Sequence, residues 1–65
     1  MKVIYDAETD ILRIVLNDAQ IEESNEDSSG IILDYDEAGN VVGLEVLSAS
    51  KRVKDPRSLE HIVTG

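Results

Sequence analysis

Cysteine, tryptophan and phenylalanine are absent from this 65-residue sequence, which also contains one proline, one histidine and two tyrosines. Without cysteine the fold can use neither disulfide bonds nor thiolate ligands for a metal, which fits a reducing cytoplasm. A chain this short buries only about 60% of the surface that its unfolded form exposes, so its core contributes little stability. We therefore expect a homo-oligomer, with a dimer favoured.

Basic residues are also scarce, since six Lys and Arg stand against fourteen Asp and Glu, for a net charge of -8. Such a chain repels phosphate backbones and anionic lipids, so we expect no binding to nucleic acid or membranes. A small basic protein is the partner that this charge fits. The first residues contain no apolar segment of secretory type and no run approaches a membrane span, which predicts a cytoplasmic protein.

Two pairs of short aliphatic segments predict two antiparallel β-hairpins. The first pair covers residues 3–5 and 11–16, and the second covers residues 30–35 and 41–47. The Asp-Glu-Ala-Gly order at 36–39 suits a type I turn that Gly39 closes in the left-handed region.

The two hairpins align with each other when the chain is displaced by thirty residues, which indicates an internal duplication. Thr9 meets Gly39 in this alignment, and a β-branched residue resists positive φ, so the two turns need not share one geometry. The matching pairs include Tyr5 with Tyr35, Asp6 with Asp36, Asp10 with Asn40, Ile14 with Leu44 and Leu16 with Val46.

Two further segments complete the predicted fold. Residues 18–29 form an acidic connection in which residues 20–23 can add a short edge strand. Asp55 and Pro56 are a good helix start, followed by an apolar stripe at Leu59, Ile62 and Val63. We expect a mainly β (α+β) fold with two antiparallel β-hairpins in one small sheet and a short C-terminal helix. Residues 1–65 form a single domain, with a β core at 3–52 and a helical tail at 53–65.

Strand alternation predicts that both sheet faces are unusually apolar, more so than one short helix can cover. We expect the remaining face to be buried in a homodimer. Glu45 is a charge within an otherwise apolar strand, and its expected partner is Lys51, Arg52 or Arg13. Two interpretations of Glu45 stay open, a specificity device at a dimer interface and an exposed edge position.

Residues 34–45 closely resemble the sequence pattern of a calcium-binding loop. Asp34, Asp36, Gly39 and Glu45 occupy ligand or turn positions of that loop, whereas Ala38 removes one oxygen ligand. Because the flanking segments are β-rich, we expect a hairpin turn without a metal. Calcium binding through Asp34, Asp36 and Glu45 is the alternative.

Acid–base catalysis requires at least two titratable groups in one enclosed site. The spacing of the candidates is typical of aspartates that cap turns. His61 lacks a second histidine for a zinc site, and no nucleophile elbow or nucleotide-binding glycine pattern is present. We predict no catalytic residue, no cofactor and no enzyme activity. The alternative is an enzyme whose pocket gathers candidates from this set: Tyr5, Asp6, Asp10, Tyr35, Asp36 and Glu45.

Several short motifs follow one another in a characteristic order: Tyr-Asp at 5–6, Asp-Ile-Leu-Arg-Ile at 10–14, Gly-Ile-Ile-Leu-Asp-Tyr-Asp at 30–36, Gly-Asn-Val-Val-Gly-Leu-Glu-Val-Leu at 39–47 and Ala-Ser-Lys-Arg at 49–52. With them the chain resembles, over residues 3–52, the small prokaryotic family called domain of unknown function 2283 (DUF2283). The resemblance implies a compact β-rich domain without an assigned activity, and an antitoxin-like role toward a small basic protein. The family's recurring positions fall here on Tyr5, Asp6, Asp10, Asp34, Asp36, Gly39, Gly43, Glu45 and Ser50.

Overall fold

The computed structural model describes residues 1–27 and 29–65, which form one antiparallel sheet and a short helix. The elements are β1 (Lys2–Asp6), β2 (Ile11–Val15), β3 (Glu23–Asp27), β4 (Ile31–Tyr35), β5 (Val41–Val46) and α1 (Ala49–Arg52). The strand order in the sheet is β1-β2-β5-β4-β3. Both predicted hairpins and the mainly β class are therefore confirmed. Within the same residues, no helix has the length and apolar character needed to cross a membrane.

The two hairpins join at the centre of the sheet, where β2 pairs with β5 and Ile14 lies opposite Leu44. These two residues are also equivalent under the thirty-residue displacement. The hairpins are therefore related by an approximate two-fold axis that passes through this pair, perpendicular to the sheet. As a result, the β1–β2 turn and the β4–β5 turn lie at opposite ends of the sheet.

One face of the sheet is apolar across four strands, because the register aligns aliphatic side chains in rows. We call the residues of two such rows the apolar face. The first row is Val3, Ile14, Leu44 and Leu33, and the second row is Tyr5, Leu12, Val46 and Ile31.

The opposite face alternates apolar and charged side chains, and we call it the mixed face. This face is less apolar than the first, although it includes the aliphatic residues Ile4, Ile11, Val15 and Ile32. Arg13 lies directly opposite Glu45. Of the three partners predicted for Glu45, Arg13 is therefore the one that the strand register places beside it. Two rows of the mixed face are Ile4, Arg13, Glu45 and Ile32, and Lys2, Val15, Gly43 and Asp34, and the pair of Asp6 and Ile11 lies on the same face.

The predicted short C-terminal helix is present, but it lies at Ala49–Arg52, so its predicted position after Pro56 is wrong. The Asp55 carboxylate instead accepts a hydrogen bond from the Arg57 amide at 3.0 Å, which favours a turn. Leu59, Ile62 and Val63 remain 69%, 69% and 82% exposed. A short helix with no buried stripe has no packing to stabilise it, which explains its absence.

The edge strand forms three residues later than predicted, at Glu23–Asp27. Ile21, the one aliphatic residue of the predicted strand, instead borders a cleft on the mixed face together with Asp34. All five residues of β3 are exposed, and three of them are acidic. Charges on an exposed edge oppose pairing with the strands of other molecules, as the sequence predicted.

Both hairpin turns are held by an aspartate at their start, but they place positive φ at different positions. The Asp6 carboxylate accepts a hydrogen bond from the Glu8 amide at 3.0 Å, and Asp36 accepts one from Ala38 at the same distance. Positive φ occurs at Gly39 (85°) in the second turn and at Asp10 (57°) in the first. The predicted difference between the turns is confirmed.

We expect Gly39→Ala to destabilise the fold by about 1 kcal/mol, because an L side chain at φ 85° is strained. A Cβ at this position meets no atom within 4 Å, so the cost is conformational and not steric. Gly39→Asn should lose less stability than Gly39→Ala, because asparagine tolerates the left-handed region. Urea unfolding at one protein concentration measures both changes. Wild-type stability in Gly39→Ala would contradict this account of the turn.

Candidate functional site

Three side chains from distant parts of the chain meet at the end of the sheet that carries the β1–β2 turn. The Tyr5 hydroxyl donates to Asp10 Oδ1 at 2.7 Å. The Ser50 hydroxyl donates to Asp10 Oδ2 at 2.7 Å, and the Ser50 amide donates to Oδ1 at 3.0 Å. Asp10 therefore connects β1, the first turn and α1, across forty residues of sequence.

The local conformation explains why an aspartate occupies this position. Asp10 adopts the left-handed region, which aspartate tolerates better than most residues. Its backbone carbonyl accepts a hydrogen bond from the Ala49 amide at 2.9 Å. Ser48, the residue before α1, makes no side-chain capping bond. Asp10 therefore caps the start of α1 from outside the helix.

The hydrogen bonds shift the pKa values of this cluster in opposite directions. The Ser50 hydroxyl, and then the Tyr5 hydroxyl, lower the pKa of Asp10. The bond to Asp10 is also the main cause of a raised pKa for Tyr5. A general base or a nucleophilic phenol would need shifts toward neutral pH. The cluster is therefore better suited to holding α1 on the sheet than to transferring protons.

The other acid–base candidates do not converge on this cluster. Asp6 is the last residue of β1 and points to the face opposite Tyr5, whereas Asp36 lies at the other end of the sheet. Hydrogen bonds from the turn, chiefly from the Asn40 amide at 2.8 Å, lower the pKa of Asp36. The structure thus does not gather Tyr5 and Asp6 with Asp36 in one pocket.

The three residues of the calcium alternative also have separate environments. The Asp34 carboxylate accepts from Ser24 on β3, Asp36 accepts from its own turn, and Glu45 lies opposite Arg13. Among residues 1–27 and 29–65, no group of three or more His, Asp or Glu side chains could hold a metal ion. His61 is exposed in the tail.

Asp34 stands out in a way that the sequence did not predict, because it is only 1% exposed. The Ser24 hydroxyl donates to its Oδ1 at 2.6 Å. Its Oδ2 is also buried and has no hydrogen-bond partner within the described part of the chain. The only sequence signal for this burial is the alternation of β4, which places Asp34 on the same face as Ile32.

The chain belongs to the DUF2283 family of proteins of unknown function, because residues 2–50 match the sequence profile of that family. An uncharacterized protein of Methanocaldococcus jannaschii is 41% identical over 51 residues, which are 78% of this chain and 43% of that protein. The chain thus spans less than half the length of this relative. No solved structure matches the chain significantly. The family match ends at Ser50, so it includes the Asp10 cluster and leaves out residues 51–65.

We expect Asp10→Asn to move the pKa of Tyr5 downward, toward its ordinary value of 10.0, because Asp10 is the main cause of the raised pKa. Ultraviolet titration of the phenol in a Tyr35→Phe background isolates the Tyr5 signal. Asp6→Asn is the control, since Asp6 contributes less than Asp10 to this shift. An unchanged Tyr5 pKa in Asp10→Asn would show that the hydrogen bond between them is not maintained in solution.

Acid should destabilise the protein through Asp10 and Asp36. The pKa of each carboxyl group lies below its ordinary value of 3.8 in the folded chain, so the unfolded chain binds these protons first. Their contribution to stability is complete above that value and is lost as pH falls toward the lower, folded pKa.

Urea unfolding of wild type and of Asp10→Asn/Asp36→Asn over acidic pH measures this contribution. The stability difference between the two proteins should shrink as pH falls below the ordinary value. The exposed Glu37→Gln serves as the control for a general change in net charge. A difference that stays constant with pH would refute the assignment.

Proposed function

We propose that this chain is a non-catalytic protein-interaction module that forms a homodimer through its apolar face. The supporting observation is that the central apolar row stays partly accessible although it lies in the middle of the sheet. Val3, Ile14, Leu33 and Leu44 are each partly buried and keep some exposed surface. In the described part of the chain, the almost fully buried apolar residues are Val42, Val46 and Ala49.

The surface area of the isolated chain supports the same proposal. A monomer of 7.1 kDa is expected to expose about 4,100 Å² of surface. This chain exposes 4997 Å², which is about 900 Å² more than that expectation. A standard interface buries about 800 Å² on each partner. The excess therefore has the size that association with one further copy would remove.

The apolar face has an approximate two-fold symmetry of its own. An isologous dimer uses the same patch on both copies, so the patch must be complementary to itself. The intramolecular two-fold axis passes through Ile14 and Leu44 and maps the central row onto itself. The tail adds apolar surface beside this row, since Leu59 and Val3 border the same cleft.

A basic protein is the further partner that we propose, and the distribution of charge supports it. Residues 14–50 contain nine Asp and Glu and no Lys or Arg. This region includes β3, whose residues are all exposed at the edge of the sheet. An acidic edge of this kind attracts basic proteins, which suits an antitoxin-like role in the cytoplasm.

Sedimentation equilibrium of the purified protein tests the dimer. We expect wild type to have twice the mass of the 7.1 kDa chain. Leu44→Glu should weaken association at least ~100-fold, because two leucines worth about 2 kcal/mol each leave the interface. Ile4→Glu is the matched control, since Ile4 is 46% exposed on the mixed face and should not affect the dimer.

Circular dichroism of both variants separates loss of association from loss of folding, and Leu33→Lys repeats the test at a second position of the same row. A wild-type protein with single-chain mass at all concentrations would exclude the dimer. Dimer loss in Ile4→Glu but not in Leu44→Glu would assign the interface to the mixed face instead. For the basic partner, recovery from a host extract should weaken strongly as salt is raised.

A further inference from the structure

The mixed face contains a buried acceptor that the fold leaves unused. Asp34 is 1% exposed and its Oδ2 has no partner within residues 1–27 and 29–65. Its Oδ1 is fixed by the Ser24 hydroxyl at 2.6 Å, so the carboxylate is held in one orientation. Buried polar atoms in folded proteins are nearly always hydrogen-bonded, and a buried carboxylate oxygen is among the most costly to leave unpaired. The free oxygen can therefore accept a further hydrogen bond.

A cleft lies against this carboxylate. Its volume is about 170 Å³, more than ten times the ~15 Å³ that one water molecule needs. Val15, Ile21 and Val42 provide apolar walls, and Arg13 provides a charged group. The cleft therefore has room for an organic group of several atoms with an apolar part.

The backbone around Asp34 leaves no room for a further side chain beside this oxygen. Gly43 lies opposite Asp34 in the register. A Cβ at Gly43 would stand 3.3 Å from Asp34 Oδ2 and 3.0 Å from the Ile14 carbonyl oxygen, so a side chain would crowd both. The register also shifts between Asp34 and Tyr35. Such bulges are common beside functional sites, where they redirect a side chain.

We propose that this cleft binds a cationic N–H donor, a guanidinium or ammonium group, which donates a hydrogen bond to Asp34 Oδ2. Charge-assisted hydrogen bonds of this kind are stronger than hydrogen bonds between neutral groups, and a guanidinium group matches a carboxylate in shape. A divalent metal fits less well, because calcium takes six to eight oxygen ligands and the described residues contain no cluster of three acidic or histidine side chains. The site lies on the mixed face, so it does not depend on the proposed dimer.

Arg13 sets the affinity of the cleft for such a ligand. Its side chain borders the cleft, so its positive charge opposes a second cation there. Arg13 also lies opposite Glu45, which provides an alternative partner for it. Removing the charge of Arg13 should therefore strengthen ligand binding, a result that a purely structural role of Asp34 does not produce.

Nuclear magnetic resonance titration of the amide groups tests the proposal with three probes. Methylguanidinium and methylammonium are the cationic probes, and N-methylurea is the neutral probe that matches methylguanidinium in shape. We expect saturable shifts at the Asp34 and Gly43 amides with a cation and none with N-methylurea. The relative affinity of the two cations distinguishes a guanidinium site from an ammonium site.

Two variants and one control complete the experiment. Asp34→Asn should weaken binding ~10-fold or more, and Arg13→Gln should strengthen it a few-fold. Glu37→Gln, an exposed acid in the second turn, should leave the affinity unchanged. If Asp34→Asn does not fold, the affinity of Arg13→Gln for the cations still tests the proposal. Three results would each overturn the proposal: no saturable shifts with either cation, equal shifts with N-methylurea, or no increase in cation affinity in Arg13→Gln. These outcomes do not depend on whether the protein is a monomer or a dimer in solution.

Discussion

The pairing of β2 with β5 is the interaction on which the rest of the structure depends. It joins the two hairpins at Ile14 and Leu44, and the backbone ladder continues where the Leu16 amide donates to the Val42 carbonyl at 2.9 Å. This register decides which side chains share a face. Together with the β4–β5 pairing, it produces an apolar row across four strands on one side and places Asp34 opposite Gly43 on the other.

A single sheet built in this way has two faces with different chemistry. On the apolar face, the segment after α1 lies near β1 and β2, where Arg57 is 5.9 Å from the centre of the Tyr5 ring and Leu59 borders a cleft with Val3 and Leu12. The mixed face carries its own charges and a cleft, so it suits a small polar ligand better than a second sheet. We therefore propose association through the apolar face and ligand binding on the mixed face.

The sequence predicts the parts of this fold that depend on neighbouring residues. Both hairpins, the turn at Gly39 and the family membership follow from local patterns and are confirmed. The features that it misses depend on contacts between distant segments. Ser50 reaches Asp10 across forty residues, and the burial of Asp34 requires β3 beside it and Ile21 at the cleft. The helix predicted after Pro56 fails for a related reason, since no surface buries its apolar stripe.

We propose that one copy of the chain cannot cover its apolar face, so that folding is linked to association. The thermal midpoint Tm at increasing protein concentration tests this claim most directly. If folding and pairing are coupled, Tm rises by about 5 °C for each tenfold increase in concentration, as for a dimer of this size. A Tm that is independent of concentration, together with single-chain mass, would contradict the account.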